Sequence, residues 1–332
     1  MLLDIEAIRE ITFGAVRIEP HEGYWRFFRF TPQQEKILDE RGFSPRQYAA
    51  AGIKLDFYSL PGEVSFDFRI FPGSGRRYYA VDALVDGVNV HHHYKETNTD
   101  TDRFLLEIPA KSKKTVRITI YFPNVAGIEL KNVTVPDGTV TPAKRKQKLL
   151  MVGDSITQGM DARHPQLSYA NLLADAMQAE LLNQGIGGDV FCEQNLDPSL
   201  PFKPSVVTVA YGVNDWDKKR ENLSLAVDCY FKKAAFLYEK IPIFAILPIW
   251  CKGEEQLKNG LSLENVRDMI RDAAARNGID VIETAAFVPC VSDYYYDGCV
   301  HPADLGFLFY GQALAKEIKK RRPDLFDITD RV

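Results

Sequence analysis

KLLMVGDSITQG, residues 148–159, contains an apolar run that stops abruptly at Gly153-Asp154-Ser155 and gives way to a polar, helix-starting segment. A continuous apolar run of this length, bounded by turn residues, reads as a strand covered on both faces, as in parallel sheets. Outward along the chain the pattern recurs in AELLNQG (179–185), SVVTVAYG (205–212), IFAILP (243–248) and IDVIE (279–283). Helical stretches lie between and after these runs, at Leu167–Ala179, Leu223–Lys240, Leu263–Asn277 and Ala303–Lys320. This alternation predicts a doubly wound α/β domain with a parallel sheet, whose site lies in the loops beyond the carboxyl ends of the strands.

Towards the amino terminus the period changes. From Ile11 to about Val135 the runs are short, aromatic-rich or alternating: TFGAVRI, YWRFFRF, EVSFDFRI, YYAVDALVDG, TVRITIYF and IELKNVTV. They predict an all-β unit, interrupted by one helix near Gln33–Glu40 behind the capping pair Thr31-Pro32. Val64, Phe66, Phe68 and Ile70 alternate with Ser65, Asp67 and Arg69, so one face of that strand should be buried. The turn-rich, basic stretch VPDGTVTPAKRKQK then places the β unit at 1–140, a linker at 141–148 and the α/β domain at 149–332. The many aromatics of the β unit, Tyr24, Trp25, Phe27, Phe28, Tyr78 and Tyr79, imply that it packs on the second domain.

With 332 residues, 45% of them hydrophobic and 26% charged, the chain can bury a sizeable core, which excludes disorder as its main character. Its 41 Lys+Arg against 45 Asp+Glu give a net charge of −4, without the positive field that nucleic acid selects. Five scattered cysteines form no C-x-x-C pair, so neither a disulfide framework nor a zinc site is indicated. The start MLLDIEAIRE lacks the features of a signal peptide, and a cytoplasmic location is expected. The apolar run from Ile241 to Trp250 is far short of the roughly 20 residues that span a bilayer, so no membrane partner is expected. Assembly into a homo-oligomer is left open.

Three loops carry chemistry. Ser155 follows a strand at a strand-to-helix turn, where its hydroxyl is exposed and the helix offers free amides to an anion. NQGIGGD (183–189) has glycines that permit close approach of a backbone N–H, and Asn214 in GVND (212–215) offers a side-chain amide. Ser155, Gly188 and Asn214 can therefore converge as donors on one oxyanion. For a base, four of the six histidines (His21, His91, His92 and His93) lie in the β unit, which leaves His164 and His301. His91-His92-His93 does not read as a metal site, because adjacent strand residues point to opposite faces.

GDSITQG, NQGIGGD, GVND and the late Asp297/His301 pair resemble the four signature blocks of the SGNH (GDSL-type) hydrolases, across about residues 147–322. The resemblance implies Ser155 as nucleophile, His301 as base and Asp297 as the carboxylate orienting it. It also implies an oxyanion hole of Ser155, Gly188 and Asn214, with Gly185 as the other glycine that fits the second block. One departure stands out: the family's Asp-x-x-His is here Asp297-Gly298-Cys299-Val300-His301, one residue longer. Either a bulge at Gly298 absorbs the extra residue, or a backbone carbonyl replaces Asp297 and leaves a dyad. The two-domain order resembles carbohydrate esterases in which a β-sandwich or jelly-roll module precedes the SGNH domain.

That resemblance implies a serine esterase for small acyl esters, acetyl groups on carbohydrate foremost, needing neither metal nor organic cofactor. The alternatives are a lysophospholipase or thioesterase of the same fold, and a catalytically silent carbohydrate-binding protein. Trp250, Trp216 and Asp154 are candidates to line the substrate pocket; for the two tryptophans simple packing is the competing reading. Without the other blocks, Gly153-Asp154-Ser155 would read as no more than a helix cap and Asn214 as a turn residue.

Overall fold

The structure, a computed structural model, describes residues 1–109 and 114–326; residues 327–332, assigned above to the second domain, lie outside the described residues. Two antiparallel sheets face each other in the amino-terminal region. One contains Thr12–Phe13, Lys54–Ser59, Val116–Tyr121, Tyr79–Val85 and Val88–Lys95, with Thr141–Pro142 added beside Lys54–Ser59. The other runs Arg17–His21, Tyr24–Phe28, Ala126–Thr134, Glu63–Pro72 and Asp100–Glu107. Take the eight strands from Tyr24–Phe28 to Ala126–Thr134 in chain order. The second sheet then holds the first, eighth, third and sixth, and the other holds the second, seventh, fourth and fifth. This is the double Greek key of a jelly roll.

The alternation of EVSFDFRI works as its period dictates: Val64, Phe66, Phe68 and Ile70 are buried in the core between the sheets, with Leu55, Phe57, Ile118 and Ile120 from the opposite one. Burying each such side chain contributes about 1.5–3 kcal/mol. Alternation also splits the histidine run. His91 and His93 share a face, where they meet Phe104 and Phe68, while His92 stacks on His164 of the second domain at 3.9 Å.

Three elements have weaker sequence signals. The helix Ile5–Ile11, capped by Asp4, is short. The strands Lys54–Ser59 and Asp100–Glu107 carry interior charges that mask their period. The helix expected at Gln33–Glu40 spans Pro32–Glu40, closed by a capping box between Thr31 and Gln34.

The second domain has a five-stranded, all-parallel sheet in the order Ala179–Gly185, Gln147–Gly153, Val206–Ala210, Ile243–Ile246, Asp280–Ile282. Helices Arg220–Leu237 and Leu263–Arg276 cover one face, and Tyr169–Ala176 and Asp304–Arg321 the other. Leu149, Leu150 and Met151 are fully buried for that reason, which is why KLLMV reads as an unbroken apolar run. The strand order reverses at Gln147–Gly153, which places a crevice between the loops after it and after Val206–Ala210.

The stretch read as a linker at 141–148 is shorter in the structure. Thr141–Pro142 pairs with Phe57 and Tyr58, and Gln147 already opens the parallel sheet, leaving Ala143–Lys146 between them. The two domains are packed directly: Arg29, buried, donates to the carbonyls of Asn183 (2.6 Å) and Gly185 (3.0 Å), and Lys54 reaches Asp175 at 3.1 Å. Among the described residues no helix is long and apolar enough to cross a membrane.

Candidate active site

Gly153 ends the first parallel strand where nothing larger fits: a Cβ there would lie 2.2 Å from Thr157 Oγ1 and 2.6 Å from the Ala210 carbonyl oxygen. The chain turns at once into the short helix Ser155–Gln158, capped by Asp154, whose carboxylate accepts from the Ile156 amide at 2.9 Å. Asp154 therefore sits beneath the turn, 3% exposed, and does not line an open substrate pocket as expected from sequence. Burial pushes its carboxyl up to about 7. An acid held protonated by the fold weakens folding once it must ionise, so its contribution to stability falls as pH rises from about 4 through about 7. Asn keeps the cap without the charge. Asp154→Asn should therefore raise the melting temperature by a few degrees at pH 8 and less at pH 5; a constant difference across that range would contradict the assignment.

Ser155 Oγ lies 2.8 Å from His301 Nε2, and His301 Nδ1 lies 2.7 Å from Asp297 Oδ2. The longer Asp–His segment closes on itself. Asp297 Oδ1 accepts from the amides of Cys299 (3.0 Å), Val300 (2.8 Å) and His301 (3.1 Å), with Gly298 at φ +67 turning the chain. Gly298 thus absorbs the additional residue, since a left-handed backbone costs glycine little. Around this tip Tyr295 bridges Pro302, and the Tyr296 amide donates to the His301 carbonyl at 2.8 Å. Burial pulls the Asp297 carboxyl upward, but the bonds from the His301 ring and the Val300 and His301 amides outweigh it and hold the group well below the usual carboxylate range.

His164, the other histidine left by elimination, is engaged elsewhere: its Nδ1 pairs with Asp304 at 2.8 Å.

The amides of the second loop separate its glycines. Gly185 donates to Asn183 Oδ1 at 2.8 Å and Gly187 to Gln158 Oε1 at 2.7 Å. Gly188 is the one whose amide has no protein acceptor among the described residues. Asn214 Nδ2 donates to the Asp189 carbonyl at 3.0 Å, which ties the third loop to the second and leaves its other N–H available. Asn214→Ala should lower kcat roughly 10²–10³-fold with little change in KM, the usual cost of one oxyanion donor. A kcat within a factor of three of the parent would make Asn214 a turn residue only.

Sequence reasoning missed the groups that hold this loop, because they come from the jelly-roll side. Arg46 Nη1 donates to the Gly187 carbonyl at 2.7 Å, and Arg41 Nη2 to buried Asp189 at 2.7 Å. Gln34 Nε2 reaches Gln184 Oε1 at 3.1 Å and the Asn195 carbonyl at 2.8 Å. No local pattern marks them, since arginines on a β unit read as a solvated face.

Trp216 is corrected: it is buried in the core, its Nε1 donates to the Leu261 carbonyl at 2.7 Å, and Lys258 covers its ring, so it walls no pocket. Trp250 is half-buried and packs edge-on against Tyr295 at 5.2 Å. Two groups bring metal-type donors together, Asp82/His92/His164 and Asp161/Asp297/His301. In the second, the Arg76 guanidinium already lies on Asp161 through two hydrogen bonds.

Residues 151–307 match the profile of the GDSL-like lipase/acylhydrolase family. That stretch, just under half of the chain, is similar to GDSL-type hydrolase domains. No curated protein sequence matches the chain. Solved structures match over nearly the whole length, so the pairing of jelly roll and GDSL domain is itself a shared fold. A salicylyl-acyltransferase, SsfX3, from a tetracycline biosynthetic pathway superposes with a TM-score of 0.78 at 14% identity, over 93% of this chain and 94% of that one. A GDSL-like lipase structure from Bacteroides ovatus gives 0.71 at 15%, over 95% and 96%. An acetyl xylan esterase, Est2A, from Butyrivibrio proteoclasticus gives 0.63 at 13%, over 96% and 96%.

Proposed function

We propose that the protein is a serine esterase that hydrolyses small acyl esters, foremost acetyl esters of carbohydrates. The observation that carries this reading is the unbroken chain from Asp297 through both nitrogens of His301 to Ser155 Oγ, at 2.7 and 2.8 Å. Ser155 Oγ attacks the ester carbonyl while its proton passes to His301 Nε2, and Asp297 steadies the imidazolium and its tautomer. The oxyanion is met by the amides of Ser155 and Gly188 and by Asn214 Nδ2. His301 returns the proton to the leaving alkoxide, then takes one from the water that attacks the acyl-enzyme and gives it to Ser155 Oγ as the acid leaves.

Exposed Tyr296, next to Asp297, and half-buried Trp250 offer aromatic faces of the kind that sugar rings stack on. The acetyl xylan esterase with the same two-domain fold supports carbohydrate as the alcohol side. The five cysteines, all unpaired, fit a reducing compartment.

A second reading follows from the acyltransferase of the same fold: the acyl-enzyme passes its acyl group to an acceptor alcohol instead of water. The test is release of acetate from acetylated xylo-oligosaccharides, set beside nitrophenyl esters of increasing acyl length, with and without added sugar alcohols. Acetate release with short-chain preference supports the esterase. Ester formed on the added alcohol at the expense of acetate supports the transferase. Rising kcat/KM with chain length points to a lysophospholipase or thioesterase, and no burst of nitrophenol to a silent binding protein.

A further inference from the structure

We propose that the jelly roll takes part in setting the catalytic base: Arg76, on the loop between strands Glu63–Pro72 and Tyr79–Val85, clamps Asp161, and Asp161 acts as a second carboxylate on His301. The inference rests on Ser155 and His301 being nucleophile and base. Asp161 lies shortly after the nucleophile helix, its side chain fully buried, with φ +71. A non-glycine residue in that conformation is uncommon, and such residues cluster at functional sites. Its Oδ2 is 3.7 Å from His301 Nδ1, the same nitrogen that Asp297 reaches at 2.7 Å.

Two carboxylates thus face one imidazole nitrogen. Each carboxylate near the ring favours its cationic form. The balance comes from across the domain boundary. Arg76 Nε donates to Asp161 Oδ1 at 2.7 Å and Nη2 to Oδ2 at 2.5 Å, a two-pronged clamp, and the Arg76 amide is itself fixed by Ser74 Oγ at 3.0 Å. The titratable and charged groups around His301 are Asp297 on its own loop, Asp161 after the nucleophile helix, Asp154 beneath that helix, whose carboxyl burial pushes up, and Arg76 from the jelly roll. Asp161 and Arg76 are positioning residues. The ring needs a carboxylate when it becomes cationic during attack, and it needs that carboxylate tempered when it must be neutral beforehand. Because Arg76 belongs to the other domain, a correctly poised base exists only while the two domains are docked.

The test is the acid limb of kcat/KM against pH for 4-nitrophenyl acetate, in the full chain. Arg76→Met leaves Asp161 uncompensated, raises the proton affinity of His301 and should move the limb up by about 1 pH unit. Asp161→Asn removes the negative charge and should move it down by about as much. The double variant, which replaces an ion pair by a neutral one, should return near the parent. A structural clamp alone would lower Tm and kcat without these opposite shifts. Limbs that coincide with the parent, or that move in the same direction in both single variants, overturn the proposal. If Arg76→Met does not fold, Asp161→Asn decides alone: a downward limb supports it, and an unchanged or upward one overturns it. Should the protein prove inert on esters, the esterase reading fails separately, and an NMR titration of the His301 ring in the same variants still decides whether Asp161 and Arg76 set its proton affinity.

Discussion

Ser155→Ala is expected to reduce kcat on a short-chain ester about a million-fold, to the level left by binding and the oxyanion donors alone. Among the described residues the side chain makes one hydrogen bond, to His301 Nε2, and the turn that carries it is held by Asp154 and the helix amides, so the fold loses nothing it depends on. Melting temperature should stay within a degree or two. The measurement is kcat by nitrophenol release beside a thermal scan of both proteins. Loss of activity accompanied by a collapse in Tm would point to a structural role, and retained activity would remove Ser155 from the chemistry.

Asp297→Asn should lower kcat about 10⁴-fold, as when a triad carboxylate is replaced by an amide that favours the wrong imidazole tautomer. In this chain Asp297 does two things at once. Oδ2 receives the His301 Nδ1–H, while Oδ1 gathers three backbone amides and so shapes the five-residue segment from Asp297 to His301. Asn can keep the second task through its oxygen but then turns an NH2 group towards Nδ1, where an acceptor is needed. Kinetics at pH 7.5, with near-parent Tm as the check on folding, decide the point. A loss below tenfold would mean that Asp161 or a backbone carbonyl orients the ring, leaving Asp297 to shape the loop alone.

The parallel sheet and its loops are legible because four of its five strands are largely buried on both faces, and Gln147–Gly153 and Ala179–Gly185 each end in glycine. Composition and position coincide there. The helix ends fall close to the expected ones, as Leu263–Arg276 and Asp304–Arg321 show: a capping box of Ser262 and Asn265 opens the first, and Pro302 lies just before the second. Ser155 is legible for the same local reason: a strand, a Gly-Asp-Ser turn and a helix lie within a dozen residues.

Illegible are the contacts that join distant parts of the chain. Arg41 and Arg46 reach the oxyanion loop from more than a hundred positions away, and Arg76 reaches Asp161 from 85. Asp100–Glu107 hides its strand because its charges are met from elsewhere: Asp100 and Asp102 pair with Lys95, at the end of the preceding strand in the opposite sheet, while the stretch forms a sheet edge beside Glu63–Pro72. Trp216 misleads in the opposite sense. A tryptophan just after an active-site loop suggests a pocket wall, but its indole N–H finds the Leu261 carbonyl and the ring sinks into the core.

The central claim is that Ser155 is an activated nucleophile, and labelling by a fluorophosphonate followed by peptide mapping tests it most directly. A single adduct on Ser155, formed rapidly in the parent and strongly slowed in His301→Ala, is the expected result. An adduct on another serine, or an unlabelled Ser155 in a protein that still turns over esters, would contradict the account.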